Sequence, residues 1–240
     1  MKLEGLKRFL RSADTALLDT VYPLNLECLC CRGPSLGHPL CADCAQMLED
    51  CRIPEPICTV CGHPLQGDAP CAFCAGDGLV LRSAYTHTSV ARDLVHTLKY
   101  EAISAPAAVL AEEMARAVEP LGSFDTATWV TMPAQRRRER GIDHGRLLAE
   151  AVARRLGIPC EELLTRDEKK NLQTQAGLGR EERLRNLRDV FSCERPVRGS
   201  ILLVDDVMTT GSTARVCRDA LMAAGASAVT VVTATQAGTK

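Results

Sequence analysis

Apolar residues recur at helical spacing along much of this chain, but at Ile201–Val204 four of them stand together with nothing polar between. A strand buried on both faces reads this way, as in a parallel sheet covered by helices on either side. Leu79–Thr86, Thr128–Met132 (which stops at Pro133) and Ala228–Thr233 read as further strands. Helical periodicity covers Ser89–Lys99, Ser104–Val118, His144–Leu156 (ended by Gly157) and Thr213–Ala224 (ended by Gly225). Strands alternating with helices predict an α/β fold with a doubly wound, mostly parallel sheet, whose strand order the pattern does not give. Leu3, Leu6, Leu10, Ala13, Leu17 and Val21 share one helical face, which predicts a docked amphipathic helix over 1–25.

The residues after Val204 carry chemistry. Asp205 and Asp206 stand at the carboxyl end of the Ile201 strand, then Val207, Met208, Thr209, Thr210, Gly211, Ser212 and Thr213. Open α/β sheets collect ligands at that edge. A turn of small hydroxylated residues around one glycine can aim several backbone N–H groups at one point, and the helix behind it adds its positive end. Such a turn is a cradle for a phosphate monoester. The two carboxylates repel phosphate but suit vicinal hydroxyls, or a magnesium ion carried by the ligand. Phosphate beside a diol describes a ribose 5-phosphate.

Cysteine content changes the picture at the other end. Of 13 cysteines, ten lie between Cys28 and Cys74, and eight of these form C-x-x-C pairs: Cys28/Cys31, Cys41/Cys44, Cys58/Cys61 and Cys71/Cys74. Two such turns complete a four-sulfur zinc site. The same gap separates the pairs within each half, so the chain predicts two structural zinc sites, with sequential or interleaved use of the pairs. Disulfides would need an oxidising compartment, and no signal-peptide pattern is present, so zinc and a cytoplasmic location are expected. The tract has one aromatic residue, Phe73, so metal binding must supply much of its folding energy. Cys30 and Cys51 are left over. The domain organisation expected is helix 1–25, zinc module 26–78 and α/β domain 79–240.

Charge adds a second theme. A net charge of -1, from 29 basic and 30 acidic side chains, excludes global polyelectrolyte attraction to nucleic acid, and no apolar run is long enough to span a membrane. Cys28 to Cys74 holds two arginines against five acids, so that tract has no basic grip of its own. Positive charge gathers instead at Arg136, Arg137, Arg138, Arg140 and Arg146, and at Lys169, Lys170, Arg180, Arg183, Arg185 and Arg188. Guanidinium forks at a ligand edge suit a pyrophosphate or a nucleic-acid backbone.

The stretch from Ile201 to Thr213 resembles the phosphoribosyl-pyrophosphate signature of type I phosphoribosyltransferases. The wider set is L-K-Y (Leu98–Tyr100), M-P-x-x-x-x-R-x-R-G (Met132–Gly141), Q-A-G-L-x-R-x-E-R-x-R-N (Gln175–Asn186) and V-D-D-V-M-T-T-G-S-T, behind four cysteine pairs. Together these resemble the competence protein F (ComF) family, amidophosphoribosyltransferase-like proteins with a double zinc ribbon. The resemblance implies a phosphoribosyltransferase-like fold that takes phosphoribosyl pyrophosphate with magnesium. Asp205 and Asp206 would hold the ribose hydroxyls as the catalytic pair, and Val207–Thr213 the 5-phosphate. Arg136, Arg138 and Arg140 would line the pyrophosphate side, and Asn171–Asn186 would form a hood. A link to DNA uptake, with single-stranded DNA and a helicase-like competence protein as partners, is also implied. The alternative is a non-catalytic uptake protein that keeps the cradle. Where the family often has Asn-Gln, this chain has Asp143-His144. Neither acceptor nor oligomeric state is legible.

Overall fold

The computed structural model describes residues 26–65, 67, 71, 78–101, 104–167 and 190–237. The expected helix over 1–25, the ligand Cys74, the hood and the second basic cluster fall outside them. The chain divides into two compact units, Met1–Met47 and Leu48–Lys240.

The first unit holds a knuckle in which Cys28 N–H donates to Gly33 O and Arg32 N–H donates back to Cys28 O. Glu27 and Pro34 bridge across its base, and helix α1 (Ala42–Glu49) begins between Cys41 and Cys44. The second unit repeats the device. Cys58 N–H donates to His63 O, Gly62 N–H to Cys58 O, and Ile57 bridges to Pro64.

In the second unit the knuckle is continuous with a four-stranded sheet of order β1-β6-β5-β2. The strands are β1 (Val80–Thr86), β2 (Thr126–Trp129), β5 (Ser200–Met208) and β6 (Ala228–Gln236), and all three pairings are parallel. Helices α2 (Ser89–Tyr100), α3 (Ala105–Val118) and α5 (His144–Leu156) pack on one face. Helix α6 (Ser212–Ala223) covers the other, with the short antiparallel pair β3 (Thr165–Arg166) and β4 (Phe191–Ser192). Ile201 and Leu203 belong to the core on the α6 side, with Val229, Val231, Cys217 and Leu221. Leu202 and Val204, equally buried, alternate to the opposite face. The unbroken apolar run is thus shared between two cores, as expected.

Boundaries shifted for a physical reason. The pattern ended the Ile201 strand at Val204, but β5 continues through both aspartates to Met208, because β6 keeps pairing with it (Asp205 with Thr233, Val207 with Thr235, Met208 with Gln236). β2 likewise starts earlier than Thr128, matching Thr126–Trp129 to Ile201–Val204. The arginine-rich stretch forms a short helix α4 (Ala134–Arg140), closed by Gly141 in the left-handed region at φ 72. Among the described residues no helix is long and apolar enough to cross a membrane.

Candidate ligand site at the carboxyl edge and the cysteine clusters

Because β5 stays extended through the acidic pair, the two aspartates face opposite ways. Asp206 lies on the α2/α5 side. Its Oδ1 takes Lys99 Nζ at 2.9 Å and its Oδ2 takes His144 Nε2 at 2.8 Å. Burial would raise this carboxyl, but the His144 hydrogen bond and the Lys99 charge outweigh it and hold it below the usual carboxylate range. Asp206 is therefore an ionised acceptor. Asp205 lies on the α6 side, where its charge is felt at Cys217, and accepts Asp206 N–H at 2.9 Å. Burial, then the neighbouring Asp206 charge, push Asp205 up to about 7. One carboxylate is neutralised by the Lys99 ammonium and hydrogen-bonded by His144, and the other keeps its proton up to about pH 7. This pair is poorly suited to caging a divalent cation by itself, which needs several ionised oxygens converging on one point, but suited to accepting hydroxyls.

Beyond Met208 the chain turns into α6. Gly211 adopts φ 73, and a Cβ there would come within 2.7 Å of Arg215 Nη1. Thr210 and Ser212 hydroxyls lie 2.9 Å apart, Ser212 N–H donates to Thr210 Oγ1 at 3.4 Å, and Arg215 Nη1 donates to Thr210 O at 2.7 Å. Thr209 and Thr210 are exposed, and Ser212, Thr213 and Val207 half-buried. Arg215 thus ties the turn to the first turn of the helix.

The sheet edge gathers more than the sequence singled out. Arg140 Nη1 lies 3.2 Å from His144 Nδ1, and its guanidinium sits 4.9 Å over the Tyr100 ring, which also meets His96 at 4.6 Å between centroids. His87, at the end of β1, bonds Thr235 Oγ1 at 2.8 Å; burial, then Lys99, lower its proton affinity. Arg136, Arg137 and Arg138 are exposed on α4. The hydroxyl of Thr131, just past β2, is buried with no partner among the described residues. Sequence reasoning missed Lys99, His144, His87 and Arg215 as site residues. Only the position of Lys99 inside L-K-Y and the His144 departure offered a signal. Asp143, the other departure, caps α5: its Oδ1 accepts Arg146 N–H at 3.1 Å.

The cysteine pairs assemble sequentially. Cys28, Cys31, Cys41 and Cys44 bring their sulfurs together, as do Cys58, Cys61 and Cys71. Cys31 and Cys41 sulfurs lie 3.7 Å apart and Cys61 and Cys71 sulfurs 3.5 Å. Those spacings are close to the edge of roughly 3.8 Å implied for four thiolates about 2.3 Å from one zinc ion, and too long for disulfides. Burial would raise the Cys28 thiol, but backbone N–H groups of Cys31, Cys41 and Cys30 outweigh it and bring it down to about 6, whereas burial and the neighbouring sulfurs raise Cys44, so Cys28 is the readiest thiolate of the cluster. Cys51 is no ligand: it is buried beside β1, its carbonyl accepting Thr86 N–H at 2.7 Å.

An N-terminal cysteine module of paired zinc-type clusters, followed by a parallel α/β sheet with a turn-and-acid edge, defines the class: a double zinc ribbon with a parallel α/β domain. The double zinc ribbon domain family matches residues 17–75. DNA utilization protein YhgH of Escherichia coli strain K12 is 32% identical over 218 residues, spanning 85% of this chain and 94% of that protein. YhgH of Salmonella typhi is 34% identical over 220 residues, spanning 85% and 94%. Competence protein F of Haemophilus influenzae is 29% identical over 208 residues, spanning 79% and 87%. The chain belongs to this YhgH/competence protein F family. Among solved structures, glutamine phosphoribosylpyrophosphate amidotransferase of B. subtilis aligns with 58% of this chain and 30% of its own at 22% identity, TM-score 0.42. Orotate phosphoribosyltransferase of Aeropyrum pernix aligns with 59% and 62% at 22% identity, TM-score 0.33.

Proposed function

We propose that the carboxyl edge of the sheet binds phosphoribosyl pyrophosphate with its magnesium, in a cytoplasmic protein of DNA utilisation or competence. One observation carries this reading: β5 brings Asp205, Asp206 and the Thr209–Thr213 turn to one edge, where Lys99 and Arg140 also end. The 5-phosphate is taken by the turn, its hydroxyls and the positive end of α6. Asp206, ionised, and Asp205 accept the ribose hydroxyls. Arg136, Arg138 and Arg140 take the pyrophosphate, and the unpartnered Thr131 hydroxyl is a further donor past the end of β2. The magnesium travels with the substrate and supplies charge neutralisation to the leaving group.

The chemistry such a site supports is displacement at C1. The bond from C1 to the pyrophosphate oxygen breaks, and a bond from an acceptor nucleophile forms through an oxocarbenium-like transition state. The protein's share is to hold both ends in place and to stabilise charge on the leaving group. Calorimetry with phosphoribosyl pyrophosphate and magnesium tests the binding. The wild type should bind, and Asp205→Ala/Asp206→Ala should lose at least tenfold in affinity; equal affinity would refute the site. Pyrophosphate release across a panel of acceptors then tests turnover.

A second reading has its own observation: among the described residues Arg136, Arg137 and Arg138 stand exposed on α4 with no ion-pair partner. They would hold the backbone of single-stranded DNA, with the cradle kept for binding alone and a helicase-like protein as partner. Single-strand affinity that weakens with salt, and weakens again when all three become Ala, would support it; indifference to the substitutions would exclude it.

A further inference from the structure

The bonds that surround Asp206 continue beyond it. Its Oδ2 meets His144 Nε2, and the other ring nitrogen meets Arg140. A guanidinium has donors and no acceptor, so Arg140 Nη1 donates to Nδ1. The ring hydrogen is then on Nε2, which donates to Asp206. His144 is buried, at 8% exposure, at the first position of α5, where the Asp143 cap fixes the backbone. The imidazole is therefore pinned at both nitrogens, by a residue of the arginine helix on one side and by the acidic pair on the other.

We infer that His144 is a positioning residue that couples the anion end of the ligand site to its diol end. This rests on the reading of the edge as a phosphoribosyl pyrophosphate site. An anion at α4 draws the Arg140 guanidinium away from Nδ1. With one end released, the ring can turn, and Asp206 Oδ2 is freed to accept a ribose hydroxyl at lower cost. The coupling is reciprocal: a diol that takes Asp206 loosens the ring and frees Arg140 for the anion. Lys99 holds the other oxygen of Asp206 throughout, so the carboxylate stays in place while its second acceptor changes partner. A glutamine at position 144 can do the same, its carbonyl accepting from Arg140 and its amide donating to Asp206. An apolar side chain cannot.

The test measures ribose 5-phosphate affinity with and without saturating inorganic pyrophosphate and magnesium, in wild type, His144→Gln and His144→Leu. The readout is the ratio within each protein, so a change in basal affinity cancels. Pyrophosphate should tighten ribose 5-phosphate roughly five- to tenfold in wild type and in His144→Gln, and less than twofold in His144→Leu. Should leucine disturb folding at this buried position, His144→Met gives the same comparison. Equal tightening in the apolar variant, or none in a wild type that binds both ligands, overturns the coupling. A wild type that binds neither ligand overturns the site reading itself.

Discussion

Asp205 and Asp206 are neighbours in sequence with opposite electrostatic fates, and the reason is the side-chain alternation of an extended strand. Asp206 meets Lys99 and His144; Asp205 meets the α6 side and its neighbour's charge. A carboxyl raised to about 7 in the fold but ordinary when unfolded binds more protons folded than unfolded between those values. Its contribution is fully present at low pH and is lost as pH rises through about 7. Asp205→Asn removes that loss. The melting temperature of the variant relative to wild type should climb from pH 4 to pH 7 and level off above pH 8. A difference that is flat with pH would place Asp205 in an ordinary environment. The pair itself was plain in the sequence. Its partners were not, because Lys99 and His144 lie 107 and 62 positions away from Asp206 along the chain, and no local pattern records a pairing made only when α2 and α5 pack on the same face.

At the scale of elements, what could be read was what periodicity controls. Helix α5 has the bounds its pattern gives, and α2, α3 and α6 differ from theirs by one residue at one or both ends, whereas the short helices α1 and α4 were not read from any period. Strand ends were misjudged where a polar residue sits inside a paired strand, because inter-strand hydrogen bonds are indifferent to side chains. β3 and β4 are two residues each, too short for any period. The second knuckle shows how an element can be locked to the sheet. Arg82, buried on β1, donates to the carbonyls of Thr59 and Val60, and Leu81 N–H donates to Val60 O at 3.0 Å. Gly62 sits at φ 63, with room for no Cβ: the Leu81 carbonyl oxygen would be 2.7 Å away. Gly62→Ala should lower stability by about 1–3 kcal/mol in denaturant melts, from left-handed strain and the backbone clash together. It should also release zinc at lower chelator concentration; an unchanged midpoint would mean that the knuckle is not held by β1. In α6 the outcome differs, since the atom that a Cβ at Gly211 would meet belongs to the flexible Arg215 side chain. Gly211→Ala should weaken phosphate binding with a smaller loss of stability, checked by calorimetry beside a thermal melt.

For the whole molecule, the cysteine spacing and the signature around Asp205 gave the class before any coordinates, and the relatives' similarity over most of the chain agrees with it. The spacing could not give ligand pairing, because adjacent and interleaved use satisfy the same sequence; sulfur positions decide for adjacent use. Nor could it show that the second cysteine half lies in the same compact unit as the sheet, since the contacts that join them run through Arg82 and Cys51. Metal analysis of the purified chain should return close to two zinc ions, and chelation should cost folded structure rather than only metal; one ion or none would contradict the paired clusters. The most direct measurement of the central claim is a crystal structure with phosphoribosyl pyrophosphate and magnesium. It should show the 5-phosphate against the Thr209–Thr213 amides, a ribose hydroxyl on Asp206 and the pyrophosphate beside Arg140. A ligand seated away from that turn, or a bound sugar that leaves Asp206 wholly to Lys99 and His144, would contradict it.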